Sequence, residues 1–152
     1  MTLNTIDDNT SALAFKAGGI NYAIQLSYVV EMVQALPITA APMAPWYIKG
    51  ICDLRGKIIP VVDLSGFFHG ECAFETNYRC LLVVEVNDCL AGLLVDNVLE
   101  VVSLSEGSLL EAGDEVSNGF DRYVDKTLNN NGDKILAIDI QKVFCDMIDG
   151  EA

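Results

Sequence analysis

The sequence predicts an all-β fold with short helices, built as two similar β-subdomains packed together and ended by a C-terminal helix. Three observations lead there. Valine, isoleucine and leucine dominate the apolar residues and fall in short runs, which suits pleated, half-buried strands better than long helices. The dipeptides Gly18-Gly19, Arg55-Gly56 and Asn87-Asp88 separate pairs of such runs as hairpin turns do. An internal repeat then relates one part of the chain to another. Residues 23–33 match residues 92–102 in register, setting Ser27 against Asp96 and Glu31 against Glu100. A second match sets Val62-Asp63-Leu64 and Phe68 against Ile138-Asp139-Ile140 and Phe144.

Taken in order, residues 1–12 read as a flexible leader, because 4–11 are mostly polar, and ordered structure is expected from Leu13. Strands at 13–16 and 21–26 flank the Gly18-Gly19 turn. Ser27 is a good helix cap, so one helical turn is expected over 28–31, carrying Val29 and Glu31, with another strand over 32–36. Pro37, Pro42 and Pro45 keep the next segment extended, since proline fixes φ and offers no backbone donor. Strands at 47–54 and 57–62 flank Arg55-Gly56, and Asp63 caps a short helix through Phe67-Phe68. Residues 69–78 read as an irregular connector, and strands at 79–86 and 89–95 flank Asn87-Asp88, with Asp96 as the next cap. A long acidic loop over 105–119 leads to a last hairpin, 121–128 and 134–138, around an Asn-rich turn that tolerates positive φ. Ile140, Val143, Phe144, Met147 and Ile148 recur at helical spacing after Asp139, a fourth cap.

Composition bounds the function. The 152 residues, 51% hydrophobic and 20% charged, can bury a sizeable interior. Either repeated half, at roughly 65–70 residues, would bury little core alone, so residues 13–149 are expected to form one domain of two intertwined subdomains. Twenty-two acidic against nine basic residues give a formal charge of −13, which repels phosphate backbones and anionic headgroups. Nucleic acid and the membrane surface are thus poor partners, and a basic patch on another protein is a good one. No signal peptide opens the chain and no apolar run approaches the roughly 20 residues of a membrane span, so a cytoplasmic protein is expected. Its five cysteines are odd in number and lack any C-x-x-C pair, which points to reduced thiols and no metal. Cys80 and Cys89, in strand-like runs, are expected to be buried.

Few residues offer chemistry. Asp63 and Asp139, equivalent in the repeat, invite comparison with a carboxylate dyad sharing a proton, as in an aspartyl-type hydrolase. Neither opens the D-[ST]-G turn of such enzymes, and each directly precedes a helical stretch, so capping is the better reading. His69, the one histidine, lies in a motif that supplies neither nucleophile nor orienting partner, and no glycine-rich phosphate loop is present. Trp46 either packs in a seam or anchors a partner, packing being the simpler. Arg55 sits where a hairpin turn projects its guanidinium outward, able to grip a partner carboxylate with two parallel bonds. Gly56 serves the backbone of that turn, which needs positive φ.

The run from Pro42-Met43-Ala44-Pro45 through Ile48-Lys49-Gly50 and Asp53-Leu54-Arg55-Gly56 to Pro60-Val61-Val62-Asp63-Leu64 resembles the signature of CheW-like domains. In that family it reads as a proline-rich entry, then I-x-G, N-L-R-G and P-V-x-D-L. Upstream, Tyr22-Ala23-Ile24 and Val29 to Val33 are similar to the family's first hairpin and turn, and Gly92-Leu93-Leu94-Val95-Asp96-Asn97-Val98 to its G-L-x-V-D-x-V element. Asp53 stands where asparagine is usual, and Phe120-Asp121-Arg122 where a glycine-bearing strand start is frequent. The resemblance implies two SH3-like five-stranded barrels around a shared core. It implies a non-enzymatic adaptor, without cofactor, that binds the regulatory domain of a CheA-type histidine kinase and the cytoplasmic tip of a chemoreceptor. Arg55, Val29, Glu31, Gly56 and Asp53 are the binding residues it points to, with a sheet edge or barrel end for the kinase and a groove near Arg55 for the receptor. The alternative setting is a type IV pilus or gliding-motility pathway served by the same kind of adaptor.

Overall fold

The computed structural model describes residues 10–34, 37–69, 80–104, 108–109, 120–130 and 132–149. The first half of the chain forms β1 (Ser11–Ala17), β2 (Ile20–Gln25), a 3-10 turn (Leu26–Tyr28), β3 (Val29–Gln34), β4 (Ile48–Leu54), β5 (Lys57–Val62) and α1 (Leu64–His69). The second forms β6 (Cys80–Val86), β7 (Cys89–Val95), β8 (Asn97–Ser103), β9 (Ser108–Leu109), a 3-10 turn (Phe120–Tyr123), β10 (Val124–Asn130), β11 (Asp133–Ile138) and α2 (Ile140–Asp149). The expected hairpins stand where the turn dipeptides placed them, with Gly18, Gly19, Arg55, Gly56, Asn87 and Asp88 all at positive φ.

One sheet has the order β8-β1-β2-β11-β10-β9, the other β3-β6-β7-β5-β4. Each half therefore donates its third strand to the other. β3 pairs with β6, and β8 pairs with β1. The repeat runs through the whole of this arrangement. Moving 69 positions along the chain carries β1 onto β6, and moving 76 carries β4 and β5 onto β10 and β11, end for end. The bulges coincide as well: Val29↔Val84 and Glu31↔Val83 in one sheet correspond to Val98↔Phe15 and Glu100↔Ala14 in the other. So do the parallel contacts, Val61↔Gly92 and Ala137↔Ala23.

Three cores follow from this geometry. Each barrel has its own: Cys52, Leu54, Ile59, Val61, Leu81, Val83 and Leu94 in one, and a smaller set in the other, where Ala12, Ala14, Ala23 and Ala137 surround Leu128 and Ile135. The third core joins both sheets to both helices and includes Phe15, Tyr22, Leu82, Leu93, Ile138 and Phe144. An aromatic chain threads the joint. Tyr47 lies edge-on to Phe67 at 5.0 Å, Phe67 contacts Phe68 at 5.6 Å, and Phe68 contacts Tyr22 and Tyr123, each at 5.6 Å between ring centroids. Phe68 on α1 thus bridges the two halves.

Four expectations need correction. Ser27 caps nothing: the 3-10 turn is Leu26–Tyr28, its first flanking residue is Gln25, and no side chain bonds its amides. Val29 and Glu31 belong to β3 rather than to a helical turn, because Val29 and Glu31 to Gln34 find ladder partners on β6. Asp96 likewise precedes no helix; it occupies a bend between β7 and β8, its amide bonded to the Lys16 carbonyl at 2.7 Å. Cys89 is exposed, since it opens β7 beside the turn, whereas Cys52 is buried and Cys80 half-buried. Order also starts earlier than expected, at Ser11, which pairs with Ser103. The connector at 70–78, most of the acidic loop and the side chain of His69 lie outside the described residues.

Candidate functional site

The β4–β5 hairpin ends in an exposed turn of fixed backbone. Arg55 has φ 52° and Gly56 φ 88°, the two positive values that a tight two-residue hairpin turn demands. The Asp53 side chain fixes the turn from within, its Oδ1 accepting a bond from the Gly56 amide at 2.8 Å. A substituent at Gly56 would meet open space, so the glycine answers to backbone conformation alone.

Arg55 does not stand free. Both of its terminal nitrogens donate to Glu31 of β3, Nη2 to Oε1 at 2.7 Å and Nη1 to Oε2, in the parallel bidentate geometry that suits guanidinium and carboxylate. The guanidinium expected to grip a partner's carboxylate thus holds one from its own chain. The pair is a surface one, with the Arg55 side chain 68% and that of Glu31 26% exposed. Hydrogen bonding from Arg55 holds the Glu31 carboxyl below its usual range. A carboxyl depressed in the fold stabilises it at neutral pH, and that contribution is lost as pH falls through the lowered value.

Of the five residues the sequence nominates for binding, Arg55, Gly56, Asp53 and Glu31 thus converge on one hairpin tip. Val29 does not: it is half-buried against the shared core. Val30 and Met32, which flank Glu31 along β3, are 47% and 50% exposed, and Ile58 on β5 is 61% exposed. The alternation of half-buried and exposed positions along Val29–Gln34 is the period of a strand. It was hidden by reading that stretch as a capped turn. An apolar groove of about 500 Å3 opens at the other end of the hairpin, lined by Tyr47, Ile48, Pro60, Leu90, Phe144 and Met147 among others.

The two paired aspartates are structural. Oδ1 of Asp63 accepts the Gly66 amide at 3.1 Å, and Oδ1 of Asp139 accepts those of Gln141 and Lys142, each at 3.1 Å. Their own amides bond to the carbonyls of Tyr47 and Tyr123, an equivalent pair, at 2.8 Å in both halves. Asp63 is almost wholly buried, with Lys49 Nζ at 3.8 Å from Oδ2. Trp46 is 59% exposed, yet its indole N–H donates to the Gly66 carbonyl at 2.8 Å, so it packs on α1 while showing a face to solvent. No motif announces the link that ties α2 to the 3-10 turn before β10. Tyr123 donates to Asp146 at 2.6 Å, and Arg122 lies 3.2 Å from the same carboxylate oxygen. Burial and that hydrogen bond push the Tyr123 hydroxyl up to about 12.

Comparison with known proteins agrees with this architecture. The family model described as "CheW-like domain" matches residues 11–146. The chemotaxis protein CheW of Rhizobium meliloti is 29% identical over 133 residues, covering 87% of this chain and 85% of that protein. Protein PilI of Pseudomonas aeruginosa is 34% identical over 88 residues, 58% of this chain and 49% of that protein. The crystal structure of scaffolding protein TtCheW from Thermoanaerobacter tengcongensis superposes with a TM-score of 0.75 at 27% identity, covering 90% of this chain and 92% of that one. With its duplicated barrels, its Arg-Gly hairpin and a match across most of its length, the chain belongs to the CheW-like domain family.

Proposed function

We propose that the protein is a non-enzymatic cytoplasmic adaptor that couples chemoreceptors to a CheA-type histidine kinase in a membrane-associated signalling array. The observation that carries this reading is the hairpin tip. The edge strand and the hairpin expose Val30, Met32 and Ile58, and the Arg55–Glu31 pair ties the two elements together, which supplies apolar anchors for affinity and charges for choice of partner. Relatives named for chemotaxis and scaffolding support a protein-binding role, and the kinase regulatory domain and the receptor's cytoplasmic tip are the partners that the family resemblance implies. The carboxylates that would serve a hydrolase are committed to helix amides, which favours an adaptor over an aspartyl-type enzyme. No helix among the described residues is long and apolar enough to cross a membrane, in keeping with recruitment through partners. The likeness to PilI supports a second reading, the same adaptor role in a pilus pathway.

Arg55→Glu tests the docking face. Calorimetric titration with the regulatory domain of the kinase from the same organism is expected to show binding weakened by about tenfold or more, roughly 1.4 kcal/mol. An exposed, solvent-screened pair contributes little to the fold, so the melting temperature is expected to stay nearly unchanged. Undiminished binding would remove this tip from the interface.

A further inference from the structure

We infer that Arg55 is a positioning residue: it clasps edge strand β3 to the β4–β5 hairpin through Glu31, and the partner meets the apolar row that this clasp sets in place. The inference rests on the adaptor reading and says how its face works. β3 and β4 are the two edges of the five-stranded sheet, and no ladder joins them. The Glu31–Arg55 pair spans that gap, from the middle of β3 to the tip of the hairpin, with both outer nitrogens of the guanidinium engaged.

The second half of the chain is an internal control. It repeats the strand order, the bulges and the Asp-capped helix, and it keeps an acid, Glu100, at the position of Glu31. Seventy-six positions after Arg55-Gly56 come Asn131 and Gly132, and Gly132 has φ 90° against 88° for Gly56. The same barrel therefore forms without an arginine at its hairpin tip. What the first half adds is an arginine at the tip, which the barrel itself does not require.

The bulge adds a reason for a clasp. Val29 and Glu31 oppose the neighbouring residues Val84 and Val83, so Val30 is the extra, unpaired residue of β3. A bulged edge is held loosely by its ladder, and anchoring Glu31, the next residue, fixes where Val30 and Met32 point.

The test is a charge swap with two readouts on the full chain. Arg55→Glu and Glu31→Arg are each expected to speed amide exchange of residues 29–34 several-fold and to weaken binding of the kinase regulatory domain by about tenfold or more. The double variant, with the pair reversed, is expected to restore slow exchange and to return affinity to within about threefold of the parent. Restored exchange with affinity still lost would overturn the inference, because a partner carboxylate would then be gripping Arg55 directly. Exchange unchanged in the single variants would overturn it as well. If the parent chain binds no kinase domain, the adaptor reading fails, while the exchange arm still decides whether the clasp exists.

Discussion

Gly50→Ala is expected to lower stability by about 3 kcal/mol or more, the cost of strained backbone and a collision with a neighbouring main chain together. Gly50 has φ 154°, a conformation that residues with a side chain rarely adopt. A β-carbon there would lie 2.2 Å from the Thr39 carbonyl oxygen and 2.8 Å from Ile38 Cγ2. The backbone of Thr39 cannot retreat cheaply, because it exchanges two hydrogen bonds with Ile51, at 2.8 and 2.9 Å. For a chain of this length the loss corresponds to a fall in melting temperature of roughly 6–12 °C. Gly132→Ala is the control. It has a positive φ but nothing within 4 Å of its would-be β-carbon, so only conformational strain of about 1 kcal/mol is expected. Thermal denaturation of the two variants side by side separates steric collision from strain. Equal losses would mean that the Thr39 strap yields.

Phe68→Ala is expected to cost about 3–5 kcal/mol, the range for deleting a buried aromatic ring. The ring is 7% exposed and touches Phe67, Tyr22 and Tyr123 within the core shared by both barrels. The loss falls on the joint between halves rather than inside either barrel. Ile59→Ala, which opens the core of one barrel, is the comparison. Both variants are expected to unfold in one cooperative step, because β3 and β8 are each held by the other half's first strand. Two resolved transitions in Phe68→Ala would show that the halves melt apart.

Much of the fold was legible for local reasons. Gly18-Gly19, Arg55-Gly56 and Asn87-Asp88 marked their hairpins because few residue pairs accept two positive φ values. Asp63 and Asp139 marked the helix starts because a carboxylate satisfies amides that otherwise lack partners. The repeat was visible in residues 23–33 and 92–102, though its extent over every strand was not. The exchange of β3 and β8 could not be read. In a duplicated chain β3 fits β1 and β6 by pattern alike, and the choice lies in the joint packing of both halves. Ser27 misled because serine is a good cap, while the ladder to β6 outweighed a single capped turn. The Arg55–Glu31 pair joins residues 24 apart and exists only once the sheet has curled, so no spacing rule announces it. Val29, nominated for binding on a helical turn, is half-buried because the stretch is a strand whose alternate residues face inward.

The most direct measurement mixes the purified chain with the regulatory domain of a CheA-type kinase and a chemoreceptor cytoplasmic fragment from the same organism, followed by sedimentation velocity. A coupling protein is expected to form a complex with each fragment alone and a single larger species containing all three. Sedimentation of the chain as a free protein in every mixture, at concentrations of tens of micromolar, would contradict the adaptor role.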